Sequence, residues 1–252
     1  MTITLAGEPF ILYVLAAVRV VAWLVIVPPF SSRAVPVAAK TLLALGLAFA
    51  VAPALSLEEV PQDLVTLVTY ALQEALLGAT MGFVTYLVFA AVQAAGDLVD
   101  VFGGFSLAAA FDPMSMNNNS VFGKLHGMLA TMLLFATDAH LLVFGGLLST
   151  FERVPVGAPW QPEDVTSVVT VAFGVFFTCA VQIALPLVAV LFIADLGLAL
   201  LTKVAPQLNA IGIMFPAKIG LTLLVVGMSF PVLPHAIDRL VDAANDAMAV
   251  IG

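Results

Sequence analysis

The chain has 252 residues, of which 62% are apolar and only 10% carry a charged side chain. With a mean hydropathy of +1.15, this composition excludes a water-soluble domain, which must cover its surface with polar groups. The net charge of −8 and the eight scattered Lys and Arg residues exclude a nucleic-acid partner, because phosphate binding needs clustered positive charge.

The apolar residues fall into six long blocks, and about twenty consecutive apolar residues suffice for a helix to cross a bilayer. The sequence therefore predicts an all-α, polytopic membrane protein built from helical hairpins of about six long, kinked apolar helices, forming one domain over residues 1–252. The first predicted helix covers residues 10–30. We interpret it as a retained helix because it lacks the basic N-terminal region of a signal peptide.

The next predicted helices cover residues 37–53 and 64 to about 101. Three polar residues near the end of the latter, Gln93, Asp97 and Asp100, recur on one helical face and indicate either a polar stripe toward a partner or a solvated helix end. Residues 102–120 then lose all helical periodicity, because paired glycines, an Asp-Pro pair and three asparagines favour turns.

The second half is predicted to contain a helix over residues 121–151, a proline-rich connector, and a helix from 165 to about 201. Pro186 lies inside the latter, so either a kink or a break into two antiparallel pieces is expected there.

The last predicted helix covers residues 211–248, with prolines at 216, 231 and 234. Its final part is amphipathic, because four polar residues share one face at helical spacing. They are His235, Arg239, Asp242 and Asp246.

Several ionisable residues interrupt the apolar blocks, where an ionised group at a helix centre costs about 2.5–3.5 kcal/mol on insertion scales. They are Arg19, Glu74, Asp138, His140 and Asp195. We expect them to face protein or water. A proton-coupled secondary transporter would use Asp138, His140 and Asp195 as titrating groups. Packing or capping is favoured, since Asp138 and His140 are two residues apart and point to different helix faces.

The sequence predicts no enzyme, no cofactor and no metal site. His126, His140 and His235 have no partner at ligand spacing, and Cys179 is best interpreted as a small core residue. A phosphate-binding loop, a dinucleotide fingerprint and a serine-hydrolase elbow are all missing from the sequence.

Four segments of the chain resemble the FliR family of type III export proteins. They are residues 15–48, 103–120, 137–157 and 201–219. In the first segment, the residues that match the family pattern are Arg19, Pro29, Arg33, Val35, Pro36 and Lys40. The last is the most specific, because polar residues inside an apolar context match in register, including Gln207 and Asn209, which we interpret as packing residues.

Two positions depart from the family pattern. Met214 stands where the family usually has a glycine before Phe-Pro, and Asp138-Ala139-His140 stands where an Asn-Gly-His type of sequence is common.

The resemblance implies a non-enzymatic subunit of the flagellar export gate in the bacterial inner membrane, within the flagellar basal body. The implied partners are FliP-like and FliQ-like gate subunits, FlhB-like and FlhA-like export components, unfolded flagellar substrates and membrane lipid. Injectisome export proteins share the pattern. The Phe-Asp-Pro sequence in the central loop favours the flagellar branch.

The resemblance also implies that the central loop, residues 103–119, acts as a plug that closes the channel at rest. Its apolar side chains suit a dewetted seal, its glycines suit hinge motion, and its methionines suit contact with varied chains. The predicted plug residues are Gly103, Gly104, Phe105, Leu107, Phe111, Asp112, Pro113, Met114 and Met116. The alternative is a loop that merely joins two helices.

Overall fold

The computed structural model describes residues 7–56, 61, 63–105, 120–158, 162–205 and 210–248, and the regular elements in these ranges are helices. The α-helices are α1 Glu8–Ile26, α2 Val37–Val51, α3 Leu64–Gly103, α4 Val121–Ala136, α5 Ala139–Arg153, α6 Pro162–Val204, α7 Ala210–Ser229 and α8 Leu233–Met248. Short 3-10 helices follow α2 and α7. The predicted all-α class is confirmed.

Several of these helices are long and apolar enough to cross a membrane. In the described ranges there are five such candidates, and α4 and α5 together make a sixth. α3 has 40 residues and α6 has 43, about twice the length that a bilayer core requires. The predicted set of about six long apolar helices is therefore confirmed.

The single helix predicted over residues 121–151 is wrong, because the chain turns between α4 and α5. Asp138 lies there with φ of 58°, in the left-handed region, which an α-helix cannot pass through. Neither proline nor glycine marks this break, so residue pattern alone missed it.

Prolines inside the later helices have less effect than the sequence suggested. α6 runs through Pro186 as one helix, so the predicted alternative of two antiparallel pieces is wrong. Pro216 lies within α7. The interruption occurs at Phe230–Val232, where a 3-10 turn accommodates Pro231.

The amphipathic character of α8 is confirmed. His235, Arg239, Asp242 and Asp246 are all exposed. The opposite face buries apolar side chains, including Ile237.

Polar side chains cap two helices that bound loops. Asp63 accepts a hydrogen bond from the Thr66 amide at 2.7 Å at the start of α3. Two hydrogen bonds with Thr66 lower the pKa of the exposed Asp63 carboxyl. The bond with the Thr66 side chain has the larger effect, and the bond with the Thr66 amide has the smaller one. Ser120 caps α4 by accepting from the Gly123 amide at 2.7 Å.

The described residues group into two compact units. The first unit is drawn from Met1–Val88, Asp138–Val175 and Val241–Gly252, and the second from Phe89–Thr137 and Phe176–Leu240. The interior of the first unit contains large buried side chains of α1, α3 and α5, among them Leu15, Trp23, Leu77, Met81 and Leu147. The second unit packs around Val99, Phe122, Leu187, Leu191 and Val226. The expectation of a single domain stays a prediction.

Candidate functional site

The two ends of the predicted plug lie in the second unit. Gly103, Gly104 and Phe105 are described at its start, and Ser120 follows its end. The other predicted plug residues lie outside the described residues. They are Leu107, Phe111, Asp112, Pro113, Met114 and Met116.

Asp100, in the last turn of α3, joins the two ends. Its Oδ2 accepts hydrogen bonds from the Ser120 hydroxyl and from the Phe122 amide, the latter at 2.9 Å. Asp100 is only 3% exposed, and buried charge-assisted bonds of this kind are among the stronger ones. One carboxylate therefore satisfies donors of the first turn of α4 and holds it beside the end of α3.

Sequence reasoning did not select Asp100 as a site residue. It identified the polar stripe that contains Asp100, but it could not show that the carboxylate meets a residue twenty positions later. The sequence signal that pointed to this region was Ser120 just before the predicted helix, because serine is a preferred helix N-cap residue.

Phe105 packs against the interior of the second unit. Its ring meets that of Phe122 edge-on, with centroids 4.9 Å apart, which is a favourable aromatic geometry. Phe122 belongs to the buried cluster of this unit, and Phe105 is partly buried against that cluster. The start of the loop is thus tied to the same residue whose amide Asp100 binds.

The two glycines at the start of the loop lie against α7. A Cβ on Gly103 would come within 2.8 Å of the Thr222 methyl group, so only glycine allows this approach. Gly104 has φ of 84°. Nearby, Lys218 Nζ donates to Asp195 Oδ2 at 2.8 Å.

Arg19 is placed differently, in the interior of the first unit. It is 0% exposed and forms a two-point ion pair with Glu74, Nε to Oε2 at 2.5 Å and Nη2 to Oε1 at 3.1 Å. Its remaining donors reach the Thr150 carbonyl at 3.1 Å and the Val154 carbonyl at 2.9 Å. The guanidinium therefore ties α1 to α3 and to the C-terminal end of α5.

Two further contacts complete this cluster. The guanidinium carbon of Arg19 lies 4.1 Å from the centre of the Phe151 ring, a cation–π distance. Glu74 Oε1 also accepts from the Gly157 amide at 3.3 Å. The positive charge of Arg19 is therefore paired with the Glu74 carboxylate and bonded to several polar groups, as the burial of a charge in an apolar protein requires.

Comparison with known proteins shows which family the chain belongs to. A family model described as bacterial export proteins, family 1, matches residues 10–244. The chain belongs to this family. The predicted resemblance is therefore confirmed.

Three relatives align with nearly the whole chain. The chain is 31% identical to the flagellar biosynthetic protein FliR of Escherichia coli (strain K12), over 95% of this chain and 92% of the relative. It is 28% identical to FliR of Bacillus subtilis (strain 168), over 95% of each. It is also 28% identical to Yop proteins translocation protein T of Yersinia pestis, over 92% and 91%.

Membership in the bacterial export proteins places the chain among membrane proteins of export systems and not among enzymes. In the ranges that the structure describes, no group of three or more His, Cys, Asp or Glu side chains is arranged to hold a metal ion.

The other polar residues selected from the sequence occupy separate places in this export-family fold. Asp138 is exposed at the break before α5, and its side chain caps no amide. His140 meets the Phe144 ring edge-on, with centroids 6.5 Å apart. Asp195 is paired with Lys218, whereas Gln207 and Asn209 lie outside the described residues. Proton-coupled transport with Asp138, His140 and Asp195 as the titrating groups stays a prediction.

Proposed function

We propose that this chain is a non-enzymatic subunit of a flagellar protein export gate in the bacterial inner membrane, within the flagellar basal body. It assembles with FliP-like and FliQ-like subunits into the channel that passes unfolded flagellar proteins, and it works beside FlhB-like and FlhA-like components. The names of the relatives in Escherichia coli and Bacillus subtilis support the flagellar assignment, because both align over more than nine-tenths of the chain.

The second part of the proposal is that residues 103–119 plug the channel. The observation that carries it is the bond network of Asp100 with Ser120 and Phe122. This network joins the end of α3 to Ser120 and the start of α4, so the described residues on either side of the segment lie close together in the second unit. A plug needs such a fixed base, since a segment anchored at distant points could not be withdrawn as a unit.

The exposed surface of α6 supports a partner-bound or lipid-bound state. Phe177, Ile193 and Val204 are 63, 67 and 83% exposed. Large apolar side chains along a helix of this length need lipid or neighbouring subunits to cover them. A gate subunit in a membrane would have such apolar surface covered by lipid or by neighbouring subunits.

Assembly is tested by co-expressing the full chain with the FliP-like and FliQ-like proteins of the same genome. Native mass spectrometry of the purified membrane fraction is expected to show a complex of fixed stoichiometry. Recovery of the chain without either partner, although all three are produced, would refute the assembly.

The plug is tested by ion conductance across membranes that contain the assembled gate. Replacing Phe105 and Phe111 with glycine is expected to raise the leak, because the apolar seal loses its bulk. Replacing the same two residues with leucine is the matched control, since it keeps apolar volume. Unchanged conductance in the glycine variant would reduce the loop to a connector.

A second candidate is an injectisome export gate, favoured by the similarity to the Yersinia pestis translocation protein. Deleting the gene in the source bacterium separates the two. Loss of flagellar filaments supports the flagellar gate. Intact filaments with lost secretion of other proteins would favour the injectisome.

A further inference from the structure

Helix α2, together with the 3-10 turn that ends it, is the least buried of the five candidate membrane spans. Only 11% of the span Val37–Ala54 is buried, against 17 to 61% of the other four. The two buried residues of α2 are Ala44 and Ala48, which lie on one side of the helix. Large apolar side chains elsewhere on it are exposed, among them Leu42 at 71% and Phe49 at 72%. Most of the surface of α2 therefore needs an apolar covering.

The length of this span matches the thickness of a bilayer core. Val37–Ala54 has 18 residues, and at about 1.5 Å per residue it is about 27 Å long, close to the roughly 30 Å of the hydrocarbon layer. α1 has 19 residues and is about as long. The 3-10 turn Ala52–Ala54 packs against α1, so α2 returns along α1 and the two helices form a hairpin. Such a hairpin has one end at each surface of a bilayer.

The charged residues of this hairpin are separated by sign. Between residues 9 and 57 the sequence has three of them, Arg19, Arg33 and Lys40. Arg19 is paired in the interior, whereas Arg33 belongs to the connector between the helices and Lys40 to the first turn of α2. At the opposite end, the first turn of α1 carries Glu8. The connector end of the hairpin is therefore basic.

Hydrogen bonds hold Lys40 against the connector. Its Nζ donates to the Ser32 carbonyl at 3.0 Å, and the Ala34 amide donates to the Ser32 hydroxyl at 3.1 Å. The ammonium group thus lies beside the backbone of the residue that precedes Arg33. Arg33 is exposed, and none of the ion pairs among the described residues involves Arg33 or Lys40. Two positive charges at this end are therefore not balanced by an acid of the described part of the chain.

We propose that Arg33 and Lys40 bind the phosphate groups of anionic phospholipids, whose acyl chains cover the exposed face of α2. A lipid of this class has a negative headgroup and an apolar tail, so it complements two positive charges at the end of an apolar helix of bilayer length. This inference does not depend on the assignment of the chain to an export gate.

The site lies in the cytoplasmic leaflet. Short basic connectors stay on the cytoplasmic side of a membrane, and anionic lipids give that leaflet its negative surface potential. The connector that contains Arg33 is therefore placed where its ligand is abundant.

Lipid binding is measured by native mass spectrometry of the full chain, purified in a neutral detergent and titrated with phosphatidylglycerol. The parent protein is expected to bind this lipid more tightly than phosphatidylcholine with the same acyl chains, because only phosphatidylglycerol has a net negative headgroup. Arg33→Gln and Lys40→Gln are each expected to weaken phosphatidylglycerol binding about fivefold, and the double variant about 25-fold, since each basic residue near a membrane surface contributes about 1 kcal/mol. Equal affinity of the parent and the double variant would overturn the proposal.

Arg153→Gln is the matched control, because Arg153 is also exposed but follows the acidic Glu152. It is expected to bind phosphatidylglycerol as the parent does, and a loss equal to that of Arg33→Gln would reduce the effect to net charge and overturn the site. Inorganic phosphate in excess is expected to leave the lipid bound. Release of the lipid by phosphate would make free phosphate the ligand and overturn the lipid assignment.

The covering of α2 is tested in the source bacterium with the photoreactive residue p-benzoylphenylalanine in place of Phe49. Irradiation is expected to attach a phospholipid, which mass spectrometry detects on the peptide that contains residue 49. The fully buried Trp23 is the control position and is expected to give no lipid adduct. An adduct of residue 49 with another protein would show that a neighbouring subunit covers α2, and it would overturn lipid as the occupant.

The leaflet is tested with a membrane-impermeant maleimide on spheroplasts that carry the Cys179→Ala chain. Ser32→Cys, in the connector, is expected to react only after lysis. Ser56→Cys, which follows the 3-10 turn at the other end of α2, is expected to react in intact spheroplasts. Reaction of Ser32→Cys in intact spheroplasts would overturn the cytoplasmic placement.

Discussion

The guanidinium of Arg19 and the carboxylate of Glu74 meet at two points in the interior of the first unit, with 0 and 3% of their side chains exposed. Neither charge could be held there alone, since an unpaired buried ion costs several kcal/mol. The pair therefore fixes which helices pack together: α1 is placed against α3, and against α5 through the Thr150 and Val154 carbonyls.

Arg19→Leu is expected to destabilise the chain by about 3–5 kcal/mol, because it leaves the Glu74 carboxylate buried without its partner. Thermal unfolding of the purified chain in detergent measures the loss. Arg33→Leu is the matched control, since Arg33 is exposed and its replacement is expected to change stability by less than about 0.5 kcal/mol.

The double variant Arg19→Met with Glu74→Leu tests the explanation. Removing both charges leaves no uncompensated ion, so the double variant is expected to be more stable than Arg19→Leu alone. A double variant that is less stable than the single one would show that the polar contacts to the backbone, and not the unpaired charge, dominate the loss.

Gly78 of α3 lies directly against the backbone of α1 at Arg19. A Cβ at residue 78 would overlap the backbone carbonyl of Arg19, which cannot move without shifting α1. Gly78→Ala is expected to cost about 1–3 kcal/mol by overpacking. Gly174→Ala in α6 is the control, because nothing lies within 4 Å of its Cβ position and alanine favours a helix by up to about 1 kcal/mol. Equal effects of both changes on the thermal midpoint would contradict this account.

The helices were predictable because apolar block length and proline positions depend on local sequence. α2 begins at Val37 and α3 at Leu64, as the pattern predicts. The break at Asp138 was not predictable in this way, because an aspartate carries no strong local signal for a left-handed backbone. Pro186 does not break α6, which continues on both sides of it, although a proline removes one helix hydrogen bond.

The site was only partly predictable. Arg19 and Glu74 stood out as charges in apolar blocks, but their pairing joins residues 55 positions apart, and periodicity contains no such information. The same holds for Asp195 with Lys218 and for Asp100 with Ser120. Sequence therefore identified which residues need partners, and the fold determined which partners they have.

Asp138 is expected to respond to substitution according to backbone strain. With φ of 58°, a β-branched side chain is disfavoured, so Asp138→Val is expected to cost about 1–2 kcal/mol. Asp138→Gly removes the steric cost and is expected to leave stability unchanged or slightly higher. The two thermal midpoints decide the question, and a valine variant as stable as the glycine variant would rule out strain at this break.

The last prediction concerns the base of the loop. Asp100→Leu removes the acceptor of the part-buried Ser120 hydroxyl and of the buried Phe122 amide, and the buried amide left without a partner costs about 1–3 kcal/mol. Local opening at the start of α4 is therefore expected to become roughly tenfold or more frequent, since about 1.4 kcal/mol corresponds to a factor of ten. Hydrogen exchange of a peptide that contains Phe122, followed by mass spectrometry, measures this opening.

Asp100→Asn is the graded control, because its amide oxygen can still accept while the charge is lost. Its exchange rate is expected to lie between those of the parent and of Asp100→Leu, since hydrogen bonds to charged groups are stronger than neutral ones. A peptide from α8, far along the chain from the substitution, serves as an internal reference for global unfolding. Equal acceleration in both peptides would mean that Asp100 stabilises the whole chain and has no particular role in joining the ends of the loop.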